Sequence, residues 1–98
     1  MSANIHVVAR LTARPETVAE LQALLLGLIE PTRQESGCLR YTLLRNTADP
    51  TDFTFVEEWS EETALEAHFT TPHLQAALAR APALLAAPPD IRRYADLG

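Results

Sequence analysis

The chain reads as an α+β protein, a ferredoxin-like βαββαβ unit on one antiparallel sheet. Three observations predict it. Ile5–Leu11, Cys38–Asn46 and Phe53–Trp59 alternate their side chains with the two-residue period of strands, and Ile91–Leu97 follows a Pro88-Pro89 break as a short fourth. Between them, Pro15–Ser36 and Ser60–Leu85 carry leucine at helical spacing. Finally, 98 residues with no repeat, linker or low-complexity stretch form one domain, residues 1–98. A chain this short buries only roughly two-thirds of its unfolded surface, so it needs a well-made core or a partner.

In the first strand Ile5, Val7, Ala9 and Leu11 share one face, with His6, Val8 and Arg10 on the other. Pro15 opens the first helix, with Glu16 in its first turn and Val18, Leu21, Leu25 and Leu28 recurring along one side. Pro31 should break it into a second short segment through Ser36, ended by Gly37 in the left-handed conformation. In the second strand Leu39, Tyr41 and Leu43 alternate with Arg40, Thr42 and Leu44; Asn46–Asp52 then turns the chain. Phe53, Phe55, Glu57 and Trp59 line one face of the third strand. Ser60 should cap the next helix, with Glu61 and Glu62 at its positive end and His68 about two turns on. Thr71 and Pro72 supply a fresh cap and first position for a helix with Leu74, Leu78 and Leu85 on one stripe, weakened late by Pro82.

Right-handed crossovers place both helical segments on one sheet face. Strands one to three carry apolar or aromatic groups on both faces, so a second copy is expected to cover the other as a homodimer with facing sheets. A net charge of −5, with eight arginines and no lysine, repels phosphate backbones and disfavours nucleic acid. Cys38 stands alone, which excludes an internal disulfide. No apolar run reaches the roughly 20 residues of a membrane span. Met1-Ser-Ala-Asn also lacks the features of a signal peptide, so a cytoplasmic location is expected.

Several motifs recur together: Glu35-Ser-Gly-Cys38 followed by Tyr41, Glu57-Glu-Trp59, Leu65-Glu-Ala-His68, and Thr71-Pro-His73. In this combination the chain resembles the antibiotic biosynthesis monooxygenase (ABM) domain family, and within it the small quinol monooxygenases, from Ile5 to about Leu97. The resemblance implies a dimeric α+β barrel with a pocket between sheet and helices. It also implies an oxygenase that uses neither metal, flavin nor haem and takes a small aromatic substrate and dioxygen. Trp59 matches the tryptophan of the family motif and His68 its helix histidine. The chain departs from the anthrone-oxidising branch at Phe55 and Leu65, where that branch has polar side chains. It departs from the haem-degrading branch at Ala9, His68 and Leu78, the nearest positions to that branch's Asn, Trp and His set.

Oxygenation without a cofactor requires a phenolic or quinol substrate to lose a proton, become electron-rich and pass an electron to dioxygen inside a dry pocket. Histidine, with an ordinary pKa near 6.5, suits the first step, and aromatic walls suit the second. His68 is the expected base or orienter and Trp59 a wall; Phe55, Phe69, Tyr41, Leu65 and His6 complete the expected pocket, although His6 can equally pair with Arg10. Plainer roles stand beside these. His68 can stack on Trp59 or bond a carbonyl, His73 can cap or face solvent, and the glutamates from Glu57 to Glu62 are mostly a solvated run. Glu57 is the exception, facing inward with Phe55, as an ion pair with Arg40 or Arg45 or as an acid in the pocket. No metal site is expected, since His68 and His73 lie five apart across Pro72 and no cysteine pair supports them. Two other activities are compatible with the fold: a dimeric module that binds small aromatic ligands without turnover, and an isomerase.

Overall fold

A computed structural model describes residues 4–98; the reading made over Met1–Ala3 lies outside the described residues. The strands are β1 (Ile5–Thr12), β2 (Cys38–Arg45), β3 (Asp52–Trp59) and β4 (Asp90–Tyr94), in the antiparallel order β2-β3-β1-β4. Two helical excursions, α1 (Val18–Leu26) with α2 (Ile29–Arg33), and α3 (Glu62–His68) with α4 (Pro72–Leu84), make the crossovers. This is the ferredoxin-like α+β topology the periodicities predict.

Register decides which side chains meet. Val7 pairs with Glu57, Ala9 with Phe55 and Leu11 with Phe53 across β1 and β3, while Tyr41 pairs with Glu57 and Leu43 with Phe55 across β2 and β3. All point to the helical side. There Val7, Ala9, Phe53, Phe55 and Trp59 pack against Leu21, Leu25 and Leu28 from the first crossover and Leu65, Leu74, Ala77 and Ala81 from the second.

The other sheet face is mixed rather than apolar. Val8, Val56, Leu44 and Tyr94 are interleaved with His6, Arg10, Arg40, Glu58 and Arg92. Arg10 grips Asp52 with two hydrogen bonds of 3.0 and 3.1 Å, and Asn46 adds a third. Leu44 and Tyr94 are each 48% exposed.

The helix breaks fall near their expected places. The α1 helix ends before Gly27, and Pro31 sits inside the short α2. Gly37 has φ +84°, and a Cβ there would stand 2.6 Å from the Ala64 Cβ and 2.7 Å from the Ser60 Oγ. Glycine therefore lets this turn lie directly on α3. Ser60 does not cap that helix; Glu61 occupies the cap position with extended backbone, while the Ser60 N–H donates to the Gly37 carbonyl at 2.8 Å. Thr71 does cap α4, accepting from the Leu74 N–H. Pro82 is accommodated inside α4, which runs on to Leu84, whereas Leu85 lies beyond it in a bridge with Ala13. β4 is shorter than expected, ending at Tyr94.

Candidate active site

The site begins at Gly37. Because this turn rests on Ser60 and Ala64, the preceding Glu35 reaches His68, one helical turn beyond Ala64. The Thr71 hydroxyl donates to the His68 carbonyl at 2.8 Å while capping α4, which ties the end of one helix to the start of the next. That brings His73 to the other side of the same carboxylate. Glu35 Oε2 lies 2.8 Å from His68 Nδ1 and 2.7 Å from His73 Nε2. A carboxylate only accepts, so both ring nitrogens present N–H to it.

His68 is the hub of an aromatic cluster. Its ring lies 4.7 Å from Trp59, 5.7 Å from Tyr41 and 5.7 Å from Phe69, and Tyr41 stacks on Phe55 at 4.5 Å. Its side chain is 3% exposed. Burial pulls the His68 pKa below its ordinary value, with the nearby Glu35 opposing that shift and His73 adding to it. At neutral pH the ring is therefore neutral. With Nδ1–H given to Glu35, its Nε2 carries a lone pair.

Glu57 is the second titratable group. It is 5% exposed, and its partner is the Trp59 indole, whose Nε1–H donates to Oε1 at 2.9 Å. Neither Arg40 nor Arg45 reaches it: Arg40 hydrogen-bonds Thr42 and Arg45 bonds Gln22. The ion pair considered for Glu57 is thus replaced by an uncharged donor two residues along the same strand face. Burial raises the Glu57 carboxyl to about 7, the indole partly opposing this and the Glu35 charge adding to it. Burial likewise pushes the Tyr41 hydroxyl above its ordinary range, so it remains a hydroxyl.

These groups face a cavity of about 50 Å³ between the sheet and the helices, walled by Ala9, Leu21, Leu25, Leu28, Tyr41, Phe55, Phe69, Leu74 and Ala77, with Glu57 and His68 supplying its polar chemistry. Leu78, Ala81 and Pro89 form its outer wall and also line an open cleft of about 440 Å³ near the end of α4. Four expected pocket residues, His68, Tyr41, Phe55 and Phe69, are in the lining. Trp59 and Leu65 are fully buried behind it, so Trp59 acts on the cavity through Glu57 and His68 rather than as its wall. His6 is excluded by strand alternation: it lies on the opposite sheet face, 3.9 Å from Asp96 and not paired with Arg10.

Glu35 is the residue sequence reading missed. It was part of a motif, but its partners lie 33 and 38 residues away, beyond any local spacing rule. His73, expected to cap or face solvent, is drawn to it instead. Among the described residues, Glu35, His68 and His73 form the one group of potential metal ligands, with donor atoms within 4.8 Å of one another. The third donor absent from the spacing argument is therefore present in space. The separations of 2.7 and 2.8 Å are between the side-chain atoms themselves and are those of charge-assisted hydrogen bonds, so the carboxylate here is engaged by two ring N–H groups.

Comparison with known proteins agrees with this architecture. The profile of the antibiotic biosynthesis monooxygenase family matches residues 4–80. The chain belongs to that family. It is 34% identical over 90 residues to an uncharacterised Synechocystis protein, covering 92% of this chain and 61% of that one, so the chain spans less than two-thirds of that relative. Among solved structures, PA3566 from Pseudomonas aeruginosa superposes with a TM-score of 0.93 at 33% identity, over 100% of this chain and 98% of that one. Rv0793 from Mycobacterium tuberculosis gives 0.92 at 32% identity, over 97% and 96%. Among the described residues of this ABM domain, no helix is long and apolar enough to cross a membrane.

Proposed function

We propose that this ABM domain is a cofactor-free monooxygenase of a quinol or related phenol, with His68 as base and Glu57 as acid. The single observation that carries the reading is a neutral, Glu35-oriented histidine sharing a nearly dry aromatic cavity with a carboxyl poised at about 7. His68 Nε2 takes the substrate hydroxyl proton, and the anion passes one electron to dioxygen. The resulting radical pair joins as a ring peroxide, which takes the proton from His68 to become the hydroperoxide. Glu57 protonates the outer oxygen as the O–O bond breaks and then takes the ring C–H proton. Water leaves, the ring carbon becomes a carbonyl that enolises to the hydroxyquinone, and both residues return to their starting state.

The electrons balance without a reductant. Quinol plus dioxygen gives hydroxyquinone plus water: two electrons come from quinol oxidation and two from converting a ring C–H to C–OH. Apolar walls keep water from the radical pair, and the Glu57–Trp59 bond keeps the acid from swinging out.

A cavity of about 50 Å³ accommodates a diatomic gas but not a ring, since benzene occupies an engineered cavity of roughly 150 Å³. Substrate access therefore requires Leu78, Ala81 and Pro89 to part, merging the cavity with the cleft beyond them. We further propose a cytoplasmic homodimer, in which the exposed Leu44 and Tyr94 and the neighbouring Val8 and Val56 are covered by a second copy. An oxygen electrode tests the activity. Metal-free protein with a menadiol-type quinol should consume dioxygen faster than quinol alone; tight ligand binding without uptake, unaffected by His68→Ala, would instead indicate a binding module.

A further inference from the structure

His73 has no part in the chemistry described above, yet it shares its carboxylate partner with His68. The side chains grade outward: His68 is 3% exposed, Glu35 12% and His73 23%. His68 faces the closed cavity, whereas His73 lines a different, open cleft of about 480 Å³ between α1 and α4, beside Glu20 and Arg80. One oxygen of Glu35 joins the two rings at 2.8 and 2.7 Å.

We propose that His68, Glu35 and His73 form a proton exchange unit in which one positive charge is shared across Glu35, so that a proton taken up at His68 inside is matched by one released from His73 outside. The proposal rests on the oxygenase reading for its substrate proton, while the coupling of the two rings stands independently of it.

The physical argument is one of charge. A single carboxylate within hydrogen-bond distance compensates one imidazolium well and two poorly, since the second cation must be desolvated without a partner of its own. When His68 becomes an imidazolium, its Nδ1–H bond to Glu35 strengthens and claims the carboxylate. His73 then gives up a ring proton to the cleft while keeping the other N–H on Glu35. When water is formed and the site resets, His73 takes a proton back, so the cycle is neutral overall. The remaining titratable groups around His68 are Glu57 on β3 and Tyr41 on β2; both are buried and neither has a cationic partner. Cys38, at the start of β2, is held as a thiol by burial. Glu35 is thus the only carboxylate in contact with both rings among the described residues.

The test uses His73→Gln, whose amide can keep a donor on Glu35 but cannot release a proton. Ring nitrogen NMR of the full chain follows the His68 titration. Because the His73 charge is one of the causes holding His68 down, the His68 midpoint should rise in the variant. In quinol oxidation, kcat in dilute buffer should fall at least about tenfold with KM unchanged, less than the ~10²–10⁴-fold a general base contributes, and added imidazole should restore it. An unmoved His68 midpoint overturns the shared charge, and undiminished kcat in dilute buffer overturns the outlet. Should the wild type oxidise no quinol, the oxygenase reading fails, and the NMR titration still decides whether the two rings are coupled.

Discussion

Replacing Glu57 by glutamine isolates the most unusual electrostatic feature of the domain. The amide keeps an acceptor for the Trp59 N–H but carries no charge, so only the ionisation is removed. In the folded protein the carboxyl titrates at about 7, against an ordinary value of 4.5. Between those two values the folded chain binds a proton that the unfolded chain has released, so stability falls as pH rises. At about 1.4 kcal/mol per pH unit over this interval, the loss amounts to about 3 kcal/mol, complete above pH 7 and absent below pH 4.5. His68 opposes this trend. Its folded pKa is lowered, so the unfolded chain binds more protons near and below its ordinary value, and its contribution grows with pH through that window. Comparing wild type with Glu57→Gln at fixed protein concentration cancels the His68 contribution. Urea unfolding at pH 4, 6 and 8 should show the variant matching wild type at the lowest pH and exceeding it by about 3 kcal/mol at the highest. Parallel stability curves would refute the reasoning, because they would mean that Glu57 ionises normally despite its burial.

Gly37→Ala should destabilise by at least ~1–2 kcal/mol, visible as a fall of several degrees in Tm, because φ is +84° and the new methyl meets Ala64 and Ser60. The same change should loosen Glu35 from His68 and lower kcat. Trp59→Phe should cost roughly 1–3 kcal/mol by leaving buried Glu57 without its donor, and should move the alkaline limb of a pH–rate profile, set by Glu57 as the acid, to higher pH. His68→Gln should reduce quinol oxidation by about 10²–10⁴-fold, whereas dialysis against a chelator should leave the rate unchanged. Light scattering should report twice the 10.8 kDa chain mass, reduced to the single-chain mass by Val56→Glu on the mixed sheet face.

Much of the fold is written in local pattern. The two-residue alternation of β3 placed Phe53, Phe55, Glu57 and Trp59 inward, and Pro31, Gly37 and Thr71-Pro72 marked breaks and caps close to where they occur. The indole partner of Glu57 was also readable, since residues two apart on a strand share a face. His6 was readable for the same reason, and alternation alone puts it on the outer face. Other features were not. On the outer face, the placing of Arg92 opposite Val8 and of Arg40 opposite Glu58 arises only once the strands pair. Glu35 meets its histidines through a turn lying on a helix, a tertiary contact that no spacing encodes. Cavity size likewise depends on how far α4 settles onto the sheet.

Labelled dioxygen tests the central claim most directly. Turnover of a menadiol-type quinol by metal-free protein under ¹⁸O₂ should place one heavy oxygen in the hydroxyquinone and the other in water, with no label in the product when only the solvent is labelled. Quinone formed without any oxygen from dioxygen would contradict the account and make the domain at most an oxidase.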